Sequence, residues 1–130
     1  MKILIADDQP MILQTICLKL QKAGYNVFAA PDGKQAIEQY ETLQPDLIIT
    51  DILMPYTSGM ELVAYIRKNE QKYTPIIILS TIGFESVIVD AFALGVDDYI
   101  IKPFKLNEVV ARVARLIGRV SNKSFLQIAQ

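Results

Sequence analysis

The chain has 130 residues, 52% of them apolar and 21% charged, with a net charge of −1, one cysteine and no histidine. That length supports one domain burying roughly 65–70% of its unfolded surface, and the composition excludes histidine-based acid–base catalysis, histidine-ligated metals and an intrachain disulfide. A near-neutral charge with no basic stripe before the last helix argues against direct nucleic-acid binding, no run reaches the ~18 apolar residues of a membrane span, and the lone Cys17 fits a reducing cytoplasm.

In chain order, the first apolar run, Lys2-Ile-Leu-Ile-Ala6, stops at Asp7-Asp8. A helical pattern follows in Leu13, Ile16, Cys17 and Leu20, with Pro10 suited to its first turn and Gly24 to its stop. Tyr25–Ala30 is a second apolar run. Asp32 is placed to cap a helix carrying Ala36, Ile37, Tyr40 and Leu43, closed by Pro45. Leu47–Thr50 stops at Asp51, and Ser58 or Gly59 opens a helix carrying Leu62, Val63 and Ile66. Ile76–Leu79 stops at Ser80. Ile88, Ala91 and Leu94 mark a fourth helix, predicted to face inward and to end at Gly95. Tyr99–Ile101 stops at Lys102-Pro103. Leu106, Val109, Val113 and Leu116 mark the inward face of a fifth helix. The chain thus divides into a domain over residues 1–120 and a polar tail over 121–130, read as a helix extension or the start of a linker.

Five strands alternating with five helices, and strands with few polar residues, predict a parallel sheet covered on both faces. With right-handed crossovers this is a doubly wound (βα)₅ α/β fold, flavodoxin-like, with strand order 2-1-3-4-5. In that order Asp7, Asp8 and Asp51 converge at the carboxyl edge of the sheet, flanked by Ser80 and Lys102. Two carboxylates 4 Å apart repel by about 4 kcal/mol at an effective dielectric near 20. Proton uptake, Lys102 or a divalent cation must offset that. An oxygen-only ligand set suits Mg²⁺. A metal and an ammonium around one carboxylate describe a phosphoryl-transfer site in which the carboxylate can be the nucleophile.

Four stretches carry a family resemblance: Ile5–Asp8, Asp46–Pro55 with Gly59, Pro75–Ser80, and Gly95–Phe104. Together they resemble the receiver domain of two-component response regulators. The resemblance implies that Asp51 is the phosphoacceptor. It implies that Asp8, Asp51 and the Leu53 carbonyl ligate Mg²⁺, with Asp7 assisting, mostly through water. Lys102 would contact the phosphoryl oxygens, Ser80 would be the switch hydroxyl, and Tyr99 a switch aromatic that moves inward on phosphorylation. A cis Lys102–Pro103 peptide is expected. The implied donor is a histidine kinase or phosphotransfer protein, with small phosphodonors as substitutes. Thr81 replaces the usual alanine or glycine, and Leu53 and Ile82 beside the pocket are apolar, so none of the three orients an attacking water by charge.

Two other functions compete with this one. A Mg²⁺-dependent phosphatase or phosphotransferase also uses an aspartate nucleophile, but commonly carries a second aspartate two residues on, where Leu53 stands here. A flavodoxin-like nucleotide binder wants a phosphate-cradling loop after the first strand, whereas Asp7-Asp8-Gln9-Pro10 repels phosphate. The output surface is expected on the fourth helix, fifth strand and fifth helix. There Val89, Phe92 and Val110 are predicted to be exposed, with Asp97 and Asp98 pairing across a two-fold axis with Arg112 and Arg115 in a homodimer on activation.

Overall fold

A computed structural model describes residues 1–129, with side chains through Arg119. The strands are β1 (Lys2–Ala6), β2 (Asn26–Ala30), β3 (Leu47–Thr50), β4 (Ile76–Ser80) and β5 (Asp98–Ile101). They alternate with α1 (Pro10–Lys22), α2 (Gly33–Leu43), α3 (Gly59–Asn69), α4 (Glu85–Leu94) and α5 (Leu106–Ala129). All pairings are parallel, and the order is β2-β1-β3-β4-β5, as predicted.

Strand alternation sorts the core into two layers. Ile3 and Ile5 of β1, Leu47 and Ile49 of β3, and Ile77 and Leu79 of β4 face Ile16 and Leu20 of α1 and Val109, Val113 and Leu116 of α5. Leu4, Ala6, Ile48, Ile76 and Ile78 face the other way, against α2, α3 and α4. The three central strands are buried along almost their whole length, which is why they read as unbroken apolar runs; β2 lies at the sheet edge and is only partly covered.

The helix boundaries follow local chemistry. Asp32 caps α2 by accepting from Gln35 N, and Ser58 and Glu61 form a reciprocal capping box on α3. Gly95 ends α4 in the left-handed conformation, φ 105°. The expected inward stripe of α4 needs correction. Leu94 is exposed, and the helix faces the sheet along Val87, Ile88 and Ala91. Val87 and Ala91 are spaced by four, so the contact runs along the four-residue ridge and leaves Leu94 outside. On α5, Val110, predicted to be exposed, is half-buried against the α1–α5 layer.

Candidate functional site

The β1–β3 register sets Ala6 beside Thr50, so the residues that follow, Asp7 and Asp51, leave the sheet side by side. Asp51 N donates to the Ala6 carbonyl at 2.9 Å and Asp7 N to the Ala30 carbonyl at 3.1 Å, extending the ladder by one residue. Lys102 N donates to the Ser80 carbonyl at 2.8 Å, and the Lys102–Pro103 peptide is cis.

From there the Lys102 ammonium reaches across β4 and β3. Its Nζ lies 2.9 Å from Asp7 Oδ2 and 2.9 Å from Asp51 Oδ2. Asp7, Asp51 and Lys102 are all nearly buried, whereas Asp8 is exposed at the rim. Burial opposes the Lys102 charge, but the hydrogen bonds and charges of Asp7 and Asp51 outweigh it and hold its pKa above the ordinary lysine value.

One ammonium faces three carboxylates. Asp7, Asp8 and Asp51 each offer an oxygen, and these oxygens lie within 4.8 Å of one another. With Lys102 counted, the cluster keeps a formal excess of two negative charges. An all-oxygen set with that excess fits a hard divalent cation such as Mg²⁺. Asp51 Oδ1 also accepts from Ile52 N, and Asp7 Oδ1 from Gln9 N at 2.9 Å, so both buried carboxylates are held in fixed orientations.

Glycine shapes the loop after β3. A Cβ on Gly59 would lie 1.9 Å from the Asp51 carbonyl oxygen, and one on Gly33 1.9 Å from that of Thr57. Gly59 N bonds Ile52 O and Gly33 N bonds Pro55 O, so the starts of α3 and α2 grip the loop from both sides. Within it the Leu53 side chain is exposed.

Ser80 is fully buried, and its Oγ accepts from Ile82 N at 3.2 Å. The Tyr99 hydroxyl donates to the Ile82 carbonyl. Tyr99 is buried, its ring packed against the layer that faces α3 and α4. Thr81 is exposed and Ile82 half-buried beside the pocket.

The expected interface residues are placed as follows. Val89 and Phe92 are exposed on α4, and Val110 is half-buried. Asp98 is buried and pairs within the chain, with Arg112 at 2.7 Å and Arg115 at 3.5 Å. Asp97 points away from that face. It accepts from Arg67, Tyr73 and the Ile76 amide at the opposite edge of the sheet. The intrachain partners follow from the order of α5 beside β5, whose arginines reach Asp98 but not Asp97.

Sequence reasoning missed Gln9, whose Oε1 lies 3.5 Å from Lys102 Nζ, and Thr50, whose hydroxyl donates to the Asp51 carbonyl. It also missed Gly33. Gln9 carried a signal, as a polar residue beside two clustered aspartates; Gly33 carried none, because its role depends on a loop distant in sequence.

A doubly wound parallel sheet with three aspartates and a lysine at its carboxyl edge defines a class of signalling domain. Residues 3–114 match the response regulator receiver domain family, and the chain belongs to it. It is 41% identical over 124 residues to the transcriptional regulatory protein ResD of Bacillus subtilis, covering 95% of this chain and 51% of that protein. The chain thus spans about half the length of curated relatives such as this one. Its structure is similar to a Francisella response regulator receiver domain (TM-score 0.86, 37% identity, 92% of this chain and 98% of that one). It is also similar to the chemotaxis protein CheY4 of Vibrio cholerae (TM-score 0.83, 34% identity, 88% of this chain and 97% of that one). The protein is therefore a receiver domain of a two-component system. Among the described residues no helix is long and apolar enough to cross a membrane.

Proposed function

We propose that the chain is a phosphorylation-controlled switch that accepts a phosphoryl group on Asp51. One observation carries this reading: the Lys102 ammonium bridges Asp7 and Asp51 at 2.9 Å each, beside the exposed Asp8. Asp8, Asp51 and the Leu53 carbonyl would hold Mg²⁺, with Asp7 assisting through water, and the ion would draw negative charge from the phosphoryl oxygens.

An Asp51 carboxylate oxygen attacks phosphorus, the donor's phosphorus–nitrogen bond breaks, and its electron pair leaves on the imidazole of a histidine kinase or phosphotransfer protein. The chain's share is positioning and charge stabilisation. Ile52 N fixes the carboxylate, and Lys102 is aimed where the new charge gathers. Ser80 then exchanges its bond from Ile82 N for a charge-assisted one to the phosphoryl group. The chain assists only its own modification and turns over no substrate. Leu53 has no acid–base group to hydrolyse the acyl phosphate, so this favours a switch over the phosphatase reading.

The reading extends to a cytoplasmic setting, a receiver over residues 1–120, and an output surface of α4, β5 and α5 that forms a homodimer on activation. Exposed Val89 and Phe92 support that surface. Because Arg112 and Arg115 are paired with Asp98 within the chain, a dimer must either leave those pairs in place or exchange them.

Acetyl phosphate with Mg²⁺ should label the wild-type chain, and Asp51→Ala should abolish the label. Full labelling of Asp51→Ala would reject Asp51 as the acceptor.

A further inference from the structure

The two ends of α4 are tied down differently. At its start, Phe84 is exposed and offers no side-chain cap, unlike Asp32 on α2 and Ser58 on α3. Only Ala91 along the helix is fully buried. What holds the entering loop is the Ile82 peptide, whose N–H goes to Ser80 and whose carbonyl accepts from Tyr99. Both of those partners are switch residues in the reading above.

The far end is fastened from outside the site. Arg67, in the last turn of α3, donates to the Gly95 carbonyl twice, from Nε at 3.0 Å and NH2 at 2.9 Å. The guanidinium is itself immobilised. It donates to the Thr74 carbonyl at 2.8 Å, to Glu70 at 3.0 Å and to Asp97 at 3.1 Å, and lies 4.6 Å from the centre of the Tyr73 ring. Asp97 in turn accepts from Ile76 N at 2.8 Å, and Glu70 from Thr74 N at 2.9 Å, so the carboxylates are anchored to the start of β4. A planar guanidinium with its donors spent on fixed acceptors is a rigid staple.

We infer that α4 pivots on this staple: Arg67 pins the helix at Gly95, and release of Ile82 by Ser80 moves the opposite end. This rests on the switch reading and adds where the motion is hinged. One neutral hydrogen bond is given up at the moving end, against two charge-assisted ones that stay made at the fixed end. Arg67 touches neither Asp51 nor Lys102; it is a positioning residue acting through Gly95.

Amide hydrogen exchange of the full chain, with Mg²⁺ and with or without fluoroberyllate, tests this residue by residue. The Val87 and Ile88 amides, which bond the Phe84 carbonyl, should change by about tenfold, the effect of one ordinary hydrogen bond. Those of Gly95 and Val96, which bond Phe92 and Ala91, should be unchanged. Arg67→Lys keeps the charge but loses the two-pronged hold. In it the Gly95 and Val96 amides should become sensitive to fluoroberyllate by about the same factor. A merely structural arginine would raise exchange equally in both states and create no new sensitivity, which would overturn the inference. Equal changes at both ends of α4 in the wild type would overturn the pivot alone, whether or not the variant folds. No change anywhere in the chain would overturn the switch reading and the pivot with it.

Discussion

Each edge of the sheet holds a cation among carboxylates, and the two clusters are built to opposite ends. At the amino edge Arg67 meets Glu70 and Asp97, whose side chains are 16%, 13% and 18% exposed. Both carboxylates there also accept from backbone amides, those of Thr74 and Ile76, and Arg67 also donates to the Gly95 and Thr74 carbonyls. At the carboxyl edge Lys102 meets Asp7 and Asp51 more deeply buried, with Asp8 added and nothing to balance it. A saturated network fixes geometry; an under-compensated one keeps free energy in reserve for a ligand. The difference separates a structural cluster from a functional one more cleanly than burial or charge count does.

The largest expected effect comes from removing each cation. Arg67→Met should cost about 3–5 kcal/mol in urea unfolding, because it leaves the part-buried Glu70 and Asp97 carboxylates without their cation and takes the donor from the Gly95 and Thr74 carbonyls. Lys102→Met should be comparably destabilised without metal, yet recover part of the loss when Mg²⁺ is added. Arg67→Met should gain from Mg²⁺ only what the wild type gains. Equal rescue of the two variants would erase the distinction between the edges.

Removing one carboxylate from each edge sharpens it. Asp97→Asn should lose about 1.5–3 kcal/mol, the worth of hydrogen bonds to a charged group. Asp8→Asn should instead raise the melting temperature slightly at low salt, an effect that shrinks as salt is added, and should abolish stabilisation by Mg²⁺. A loss of stability in Asp8→Asn would mean that the carboxyl edge is not under-compensated.

The smallest effect is on pH dependence. Burial, then the hydrogen bond to and charge of Asp97, push the Tyr73 phenol up to about 12 from the ordinary 10.0. The fold therefore favours the neutral phenol. That contribution is complete below pH 10.0 and is lost as the pH climbs toward about 12. Tyr73→Phe should flatten this alkaline decline, because it gives up the bond to Asp97 at neutral pH as well, so urea melts at about pH 8 and about pH 11 should differ less in the variant than in the wild type. An identical decline in the variant would place the titrating group elsewhere.

Strand positions, strand order and the gathering of Asp7, Asp8, Asp51, Ser80 and Lys102 at one edge were determined by the sequence itself. Parallel strands buried on both faces must be apolar throughout, so a polar residue at each strand end stands out locally, and the right-handed crossover rule converts those positions into neighbours. The caps at Asp32 and Ser58 and the stop at Gly95 were legible for the same local reason. Tertiary structure alone decided the rest. Periodicity reports that a helix face is apolar, not the angle at which it crosses the sheet, so Leu94 and Val110 exchanged their expected exposures. The tight approach of Gly33 to Thr57 joins residues 24 positions apart, and Arg67, Asp97 and Gly95 meet only because the end of α3 lands beside the turn into β5. Charged and small residues make such long-range contacts through single atoms, and a single atom leaves no periodic trace in the chain.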